Sequence, residues 1–98
     1  MKIAFIGGGN MGEAILSALL KNKIASAKDI TVSDAADTRR QYLAASYRIN
    51  VTADNATSII NAAVVVLAVK PQVLAAVMTD LKGKISSDQL VISIIAGA

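Results

Sequence analysis

The stretch that decides the fold is Ile6-Gly7-Gly8-Gly9-Asn10-Met11-Gly12, which directly follows the apolar run Ile3-Ala4-Phe5. Glycines at positions 7, 9 and 12 have the spacing of a strand-to-helix turn that binds a dinucleotide. Gly7 allows a sharp turn, Gly9 lets backbone N–H groups approach a pyrophosphate, and Gly12 lets the helix pack closely on the strand. The helix N-terminus adds unpaired N–H groups and the positive end of its dipole. A glycine-rich turn without a ligand is the alternative.

The composition favours one α/β domain. The chain has 98 residues, of which 54% are hydrophobic and three are aromatic. Unbroken runs of Ala, Val, Ile and Leu are typical of parallel strands that helices cover on both faces. The chain contains no cysteine and no histidine. We therefore expect no disulfide, no metal site and no thiol or imidazole catalyst.

The charge pattern argues against a nucleic-acid partner and against a membrane. The net charge is +3, but the ten basic residues are scattered, and the longest basic run is Arg39-Arg40. The longest apolar run, residues 62–69, is too short to span a bilayer, and the first residues lack the features of a signal peptide. We therefore expect a soluble, cytoplasmic protein that binds no nucleic acid.

Hydrophobic periodicity predicts five strands that alternate with four helices. The strands are expected at residues 2–6, 29–33, 49–52, 63–69 and 89–94. The helices are expected at residues 11–22, from Asp37 to about residue 46, at about residues 55–61, and from Pro71 to about residue 82. Asp37 and Asp54 are the expected N-caps of the second and third helices.

This alternation predicts a doubly wound parallel sheet of the Rossmann type, with strand order 3-2-1-4-5 and helices on both faces. In such sheets ligands bind at the carboxyl ends of the strands, where the strand order reverses. Four stretches are predicted to meet there: Gly7–Met11, Ser33-Asp34, Val69-Lys70-Pro71 and Ala96-Gly97. Their convergence supports a binding site more strongly than the glycines do alone.

Residues after the second strand leave the choice of dinucleotide open. Asp34 lies 22 residues after Gly12, where an acidic side chain accepts a hydrogen bond from the ribose 2′-hydroxyl of NAD and repels the 2′-phosphate of NADP. Ser33, Arg39 and Arg40 favour the phosphate instead. Asp34 is also a common turn former after a strand. Both arginines lie in the first turn of a predicted helix, which indicates a negative group nearby or side chains that point to water.

Other polar residues near these strand ends have more than one interpretation. Lys70 either shapes the nicotinamide end of the crevice together with Pro71 or is a solvated lysine at a strand end. Asn55 contacts the cofactor or only begins a helix. Asn10 caps the first helix or lies along the pyrophosphate. Glu13 needs no catalytic role, because an acid in the first turn of a helix is favourable.

Together these pieces resemble the pyrroline-5-carboxylate reductase family. The matching segments, in the order and spacing of the family, are Ile6–Gly12, Val32-Ser33-Asp34, Asp54-Asn55, Leu67-Ala68-Val69-Lys70-Pro71-Gln72 and Ser93-Ile94-Ile95-Ala96-Gly97. The glycine turn is shared with many dehydrogenases, whereas the segments around Lys70-Pro71 and Ala96-Gly97 are much more specific in combination. The resemblance covers essentially the whole chain.

The resemblance implies reduction of 1-pyrroline-5-carboxylate to L-proline, the last step of proline synthesis, with hydride from NADPH or NADH. The family usually prefers NADPH, and Asp34 puts that preference in doubt here. The cofactor-binding residues that the motifs and the resemblance imply are Ile6, Gly7, Gly8, Gly9, Asn10, Met11, Ser33, Asp34, Arg39, Asn55, Ala68, Val69, Lys70, Pro71, Ala96 and Gly97.

Length is the main departure from the family. Family members continue past the Ala96-Gly97 turn into a helical domain that dimerises and supplies the substrate pocket. Residues 1–98 correspond to the NAD(P)-binding Rossmann domain alone, so we expect a homo-oligomer only for a full-length protein. The catalytic residues are unknown, because no residue here is a candidate general acid. We expect this chain alone to bind NAD(P)H without reducing the imine.

Two other functions stay open. One is another hydride-transfer enzyme, such as a β-hydroxyacid dehydrogenase, which would carry a different helical domain. The other is a non-enzymatic nucleotide-sensing Rossmann module of a channel or regulator. Such a module shares the glycine turn and the acid after the second strand but has no need of Lys70-Pro71 or Ala96-Gly97. A preference for ATP or ADP over a dinucleotide would indicate the sensor.

Overall fold

Five short strands alternate with four α-helices in the computed structural model, which describes residues 1–94. The strands are β1 (Ile3–Ile6), β2 (Ile30–Ser33), β3 (Asn50–Thr52), β4 (Val64–Leu67) and β5 (Leu90–Ser93). The helices are α1 (Asn10–Lys21), α2 (Asp37–Tyr47), α3 (Asn55–Ser58) and α4 (Pro71–Leu81), and a short 3-10 helix at Ala27–Asp29 precedes β2. The alternation predicted from the periodicity is confirmed.

All five strands are parallel and lie in the order β3-β2-β1-β4-β5. β1 is central, and Ile3 lies opposite Ile30 of β2 and Val64 of β4. The order reverses at β1, because the chain first builds outward to β3 and then returns through α3 to the other side of β1. The predicted doubly wound sheet is confirmed, and the carboxyl ends of β2, β1 and β4 lie side by side.

The sheet has a hydrophobic core on each face. On one face Phe5 packs with Leu16 of α1 and Leu43 of α2, and all three side chains are fully buried. On the other face Ile6 packs with Val77 of α4. Burying a large apolar side chain contributes about 1.5–3 kcal/mol, and all four residues of β1 are buried. The central strand therefore anchors the turn that follows it.

The β5 edge of the sheet is much less covered. All four residues of β5 are exposed. Ile92 is 41% exposed, whereas its register partner Val66 on β4 is 5% exposed. The apolar core is therefore centred on β1 and its neighbours β2 and β4 rather than spread evenly across the sheet. Among residues 1–94, no helix is long and apolar enough to cross a membrane.

The start of α2 differs from the predicted one. α2 begins at Asp37 itself, its N-cap is Ala36, and no side chain caps it, so the prediction that Asp37 is the N-cap is wrong. The Asp37 carboxylate instead accepts hydrogen bonds from Arg40 and Gln41 within the helix. These two partners lie three and four residues further along, where helical side chains meet.

Two other elements are shorter than predicted. α3 begins as predicted, since the Asp54 carboxylate caps it by accepting from the Ala56 N–H at 3.1 Å. It ends at Ser58 rather than near residue 61, and Asn61 adopts a left-handed conformation with φ of 63°. β4 ends at Leu67, opposite the last residue of β1, because β1 turns away at Gly7 and no longer offers β4 a partner.

Candidate functional site

The chain leaves β1 through a turn that requires glycine. Gly7 has a φ of 99°, and its N–H donates to the Ser33 carbonyl at 2.7 Å. A Cβ on Gly7 would lie 2.4 Å from the carbonyl oxygen of Ala68, and a Cβ on Gly12 would lie 2.8 Å from that of Gly7. Both contacts are shorter than real Cβ atoms allow. The sharp turn and the close start of α1 therefore depend on these two glycines.

The N-terminus of α1 offers free backbone donors. Gly9 is the N-cap and no side chain caps the helix, so Asn10 does not serve as a cap. Among residues 1–94, the structure gives no acceptor for the N–H groups of Gly9, Asn10 and Met11. A Cβ on Gly9 would meet no atom within 4 Å. Open space, free donors and the positive end of the helix dipole together fit the pyrophosphate of a dinucleotide.

A crevice of about 490 Å³ opens beside this turn, at the carboxyl ends of the strands. The predicted site residues that line it are Ile6, Gly7, Gly8, Gly9, Ser33, Asp34, Asn55, Ala68, Val69 and Lys70. The predicted site residues outside its lining are Asn10, Met11, Arg39 and Pro71. Ala96 and Gly97 lie outside the described residues. The topology thus brings three of the four predicted stretches to one crevice.

Asp34 is held against the glycine turn. Its Oδ2 accepts from the Gly8 N–H and its Oδ1 accepts from the Ala36 N–H, both at 2.8 Å. Asp34 is therefore the turn former that the sequence allowed. Its carboxylate also lines the crevice, so it can still accept from a ribose hydroxyl.

A chain of hydrogen bonds ties β2 to α3 and α4 beneath the crevice. The buried Ser33 hydroxyl donates to Asn55 Oδ1 at 2.5 Å, and Asn55 Nδ2 donates to Asp80 Oδ2 at 3.2 Å. Asn55 is also the first residue of α3, so it begins a helix, as one of its two interpretations predicted. Asp80 lines the crevice and was missed, because its position near the end of a helix indicates nothing about which strand end it approaches.

Arg39 binds the glycine turn rather than lining the crevice. Its Nε–H donates to the Gly8 carbonyl, and its Nη2 donates to Glu13 Oε1 at 2.5 Å. The hydroxyls of Tyr42 and Tyr47 each donate to Glu13 Oε2 at 2.6 Å. We call Glu13, Arg39, Tyr42 and Tyr47 the Glu13 cluster. Sequence reasoning missed it, because it assigned Glu13 only an interaction with the helix dipole.

The Glu13 cluster shifts the titration of its members. Hydrogen bonds from Tyr42 and then Tyr47, with a smaller effect of Arg39, hold the pKa of the Glu13 carboxyl below its ordinary value. The same hydrogen bonds to Glu13 raise the pKa of both tyrosines. Glu13 therefore stays ionised and both phenols stay protonated near neutral pH, which is the state that these hydrogen bonds require.

Arg40 is also paired within the chain. Its Nη1 donates to the Asp34 carbonyl at 2.7 Å, and its Nη2 donates to the Asp37 carboxylate at 3.1 Å. The negative groups beside the two arginines of α2 are thus Glu13 and Asp37. This explains how cations are tolerated in the first turn of a helix without a bound anion.

A larger cavity, of about 790 Å³, lies at the opposite ends of the strands. It is lined by α3, by the connection from α3 to β4 and by the connection from α4 to β5, and it contains no predicted site residue. One of its polar groups, the Gln89 amide, donates to the carbonyls of Ile59 and Ala62 at 2.7 and 2.9 Å. Gln89 therefore braces this end of the sheet, and the predicted site residues lie in or beside the smaller crevice instead.

Comparison with known proteins gives matches along nearly the whole chain. The family model described as NADP oxidoreductase coenzyme F420-dependent matches residues 2–97. The pyrroline-5-carboxylate reductase of Methanosarcina acetivorans is 42% identical over 96 residues, and that of Haemophilus influenzae is 45% identical over 95 residues. A solved structure of a pyrroline-5-carboxylate reductase from Coxiella burnetii aligns with a TM-score of 0.90 at 36% identity, over 98% of this chain and 36% of that one.

The matches also show how much of the relatives the chain represents. They cover 98% and 97% of this chain but 36% and 34% of the two curated relatives, so the chain spans about a third of their length. The resemblance to pyrroline-5-carboxylate reductases that the motifs indicated is confirmed for this part. The chain therefore belongs to the NADP oxidoreductase coenzyme F420-dependent family, and the relatives it matches there are pyrroline-5-carboxylate reductases.

Proposed function

We propose that the chain is the cofactor-binding domain of a reductase that converts 1-pyrroline-5-carboxylate to L-proline. The observation that carries this proposal is the set of free N–H groups at Gly9, Asn10 and Met11 beside an open crevice. The names of the matched relatives support the substrate and the reaction. When bound, the dinucleotide would supply the hydride. The chain's own residues bind and orient it.

The topology suggests how the dinucleotide lies. β2 and β4 flank β1, so Asp34 and Lys70 stand on opposite sides of the glycine turn. The pyrophosphate would cross β1 over Gly9, with the adenosine ribose beside Asp34 and the nicotinamide beside Ala68 and Lys70. The cofactor contacts of Pro71, Ala96 and Gly97 stay predictions, as do a cytoplasmic location and a homo-oligomeric full-length protein.

The adenosine end favours NADH over NADPH. The Asp34 carboxylate lies in the crevice lining and is fixed there by two backbone N–H groups. A 2′-phosphate at this position would face a like charge, which is costly at close range. Arg39 and Arg40 are already paired with Glu13 and Asp37, so neither is free to offset that charge without breaking an ion pair.

Titration of the purified chain with NADH, NADPH and ATP tests both parts of the proposal. We expect NADH to bind more tightly than NADPH, and both more tightly than ATP. Asp34→Ala should raise the ratio of NADPH to NADH affinity about ten-fold, because it removes the like charge. The matched control is Asp88→Ala, which removes an exposed carboxylate at the opposite ends of the strands without changing the crevice lining or the partner of either arginine.

The outcomes separate the two claims. Tighter binding of ATP than of either dinucleotide would contradict the reductase domain and favour a nucleotide sensor. If the chain binds dinucleotides but Asp34→Ala leaves the ratio of NADPH to NADH affinity unchanged, the domain assignment stands. The preference for NADH would then be contradicted. The same change of ratio in Asp88→Ala would show that net charge, rather than the Asp34 position, determines the preference.

A further inference from the structure

Arg39 fixes the direction of one peptide group in the glycine turn. Its Nε–H donates to the carbonyl of Gly8, which is a buried residue, although Arg39 itself belongs to α2 and lies 31 residues further along the chain. The peptide bond between Gly8 and Gly9 is trans. Because a trans peptide is planar, its N–H points opposite to its C=O. The contact that holds the Gly8 carbonyl toward Arg39 therefore also directs the Gly9 N–H away from Arg39.

The Gly9 N–H belongs to the proposed pyrophosphate site. Gly9 lines the crevice, and its N–H has no acceptor among residues 1–94. Glycines on both sides leave this part of the backbone more torsional freedom than other residues would. The hydrogen bond from Arg39 to the Gly8 carbonyl is thus a means to keep the Gly9 N–H directed toward the ligand before the ligand binds.

Glu13 in turn determines where Arg39 lies. Its Oε1 accepts from Arg39, while its Oε2 accepts from both Tyr42 and Tyr47. The Arg39 guanidinium carbon also lies 4.9 Å from the centroid of the Tyr42 ring. The side chains of Arg39 and Glu13 are 26% and 18% exposed, so the pair is partly shielded from water. Three donors on one carboxylate leave Arg39 a narrow range of positions.

We infer that Glu13 and Arg39 are positioning residues for pyrophosphate binding: Glu13 orients Arg39, and Arg39 orients the Gly8–Gly9 peptide. This inference rests on the proposed function. Neither side chain lines the crevice, so both act through the backbone rather than by touching the ligand. Arg39 then contributes to cofactor binding without neutralising a 2′-phosphate. This role differs from the direct phosphate contact that an arginine at this position suggested in the sequence.

A double-mutant cycle on NADH affinity tests this inference. Arg39→Ala should weaken NADH binding about ten-fold, because it removes a charged hydrogen bond to the turn. Glu13→Gln should weaken it somewhat less, since a neutral amide cannot accept from all three donors. In the Arg39→Ala background, Glu13→Gln should have no further effect on NADH affinity. The milder Tyr47→Phe removes a single donor to Glu13 and should weaken NADH binding slightly. It keeps the test usable if Arg39→Ala or Glu13→Gln does not fold.

A second readout needs no ligand. In the free chain, Arg39→Ala and Glu13→Gln should both shift the amide resonance of Gly9, because the peptide group changes orientation. Asp37→Ala, which removes an ion pair from the same helix, should leave that resonance and the NADH affinity unchanged.

The results distinguish the inference from the function on which it rests. If the wild-type chain binds neither NADH nor NADPH, the proposed function and the inference both fail. If the wild type binds NADH and Arg39→Ala binds it equally well, the inference alone fails. Effects of Glu13→Gln and Arg39→Ala that simply add would also overturn it, because Glu13 would then not act through Arg39.

Discussion

The two sides of the crevice are built differently. On the β2 side, polar side chains are fixed by the protein: both oxygens of Asp34 accept from backbone N–H groups, and Ser33 donates to Asn55. On the β4 side, the lining consists of Ala68, Val69 and Lys70 and continues into α4, which contributes two valines and the carboxylate of Asp80. One side thus presents groups in set positions, whereas the other presents mainly backbone and apolar surface.

This difference indicates how the two halves of a dinucleotide would be recognised. The β2 side and the glycine turn would suit the adenosine and pyrophosphate parts, because their donors and acceptors would need little reorganisation on binding. The β4 side would offer shape, the Lys70 ammonium group and, on α4, the Asp80 carboxylate. We therefore expect substitutions at the turn and on the β2 side to have clear, separable effects on stability and affinity, and the following predictions test this.

The largest effect is expected from Gly7→Ala, compared with Gly9→Ala. A Cβ on Gly7 would meet the Ala68 carbonyl at 2.4 Å. The alanine would also have to adopt the φ of 99° that Gly7 has. Strain and overpacking together should cost about 3 kcal/mol or more. A Cβ on Gly9 would meet nothing within 4 Å. Gly9→Ala should therefore unfold at nearly the wild-type temperature and yet bind NADH about ten-fold more weakly, since its methyl group obstructs the phosphate.

Thermal unfolding and NADH titration of both variants check this pair. For a domain of this size, the loss in Gly7→Ala corresponds to a fall of the unfolding midpoint by about 15 °C. Equal stability of Gly7→Ala and Gly9→Ala would contradict the account of the turn. Wild-type NADH affinity in Gly9→Ala would contradict the position given to the pyrophosphate.

An intermediate effect is expected on the pH dependence of stability in Glu13→Gln. Hydrogen bonds from Tyr42 and Tyr47 hold the pKa of Glu13 in the folded chain below its ordinary value of 4.5. A carboxyl of this kind stabilises the fold above its unfolded pKa, and the contribution is lost as pH falls through the folded pKa. The stability difference between the wild type and Glu13→Gln should therefore be full at neutral pH and shrink below about pH 4.5.

Urea unfolding of the two chains at several pH values measures this difference. Tyr47→Phe leaves the carboxylate in place and removes one of its donors, so it should show the same trend with a smaller amplitude. A difference that stays constant from neutral to acid pH would mean that the ionised form of Glu13 contributes nothing to the fold.

The smallest effect is expected from Ser33→Ala, compared with Ser93→Ala. Both serines are the last residues of their strands, but Ser33 is 1% exposed and donates to Asn55, whereas Ser93 is exposed. Ser33→Ala leaves the Asn55 oxygen without its donor and should cost about 1 kcal/mol. Ser93→Ala should change stability by less than about 0.5 kcal/mol. Chemical unfolding of both variants checks the pair, and equal costs would mean that the hydrogen bond from Ser33 to Asn55 adds nothing to stability on the β2 side.

The fold could be predicted from local patterns. The glycine spacing, the alternation of apolar runs with helical periodicity, and the rules for crossovers between parallel strands were sufficient for the order β3-β2-β1-β4-β5. Strand ends then placed Asp34 and Lys70 at one crevice without knowledge of any side-chain contact, whereas Asn55 was implied there by the family resemblance. Element boundaries were less accurate, as at Asp37, because two partners inside the helix compete for its carboxylate.

The Glu13 cluster could not be predicted in this way. Glu13 and Tyr47 are 34 residues apart, and their contact depends on which faces of α1 and α2 meet. Periodicity identifies the apolar face of a helix but does not assign partners to polar residues at its border. The placement of two arginines early in α2 was a correct sign of nearby negative charge, and the negative groups that the structure shows beside them are the carboxylates of Glu13 and Asp37.

The central claim is that a dinucleotide binds at the carboxyl ends of the strands and not in the larger cavity at their amino ends. The most direct test is to map amide resonances of the ¹⁵N-labelled chain during titration with NADH. We expect the resonances of Gly8, Gly9, Asp34 and Val69 to move, while those of Lys84 and Gln89 stay in place. Shifts centred on Lys84 and Gln89, with the glycine turn unchanged, would contradict it.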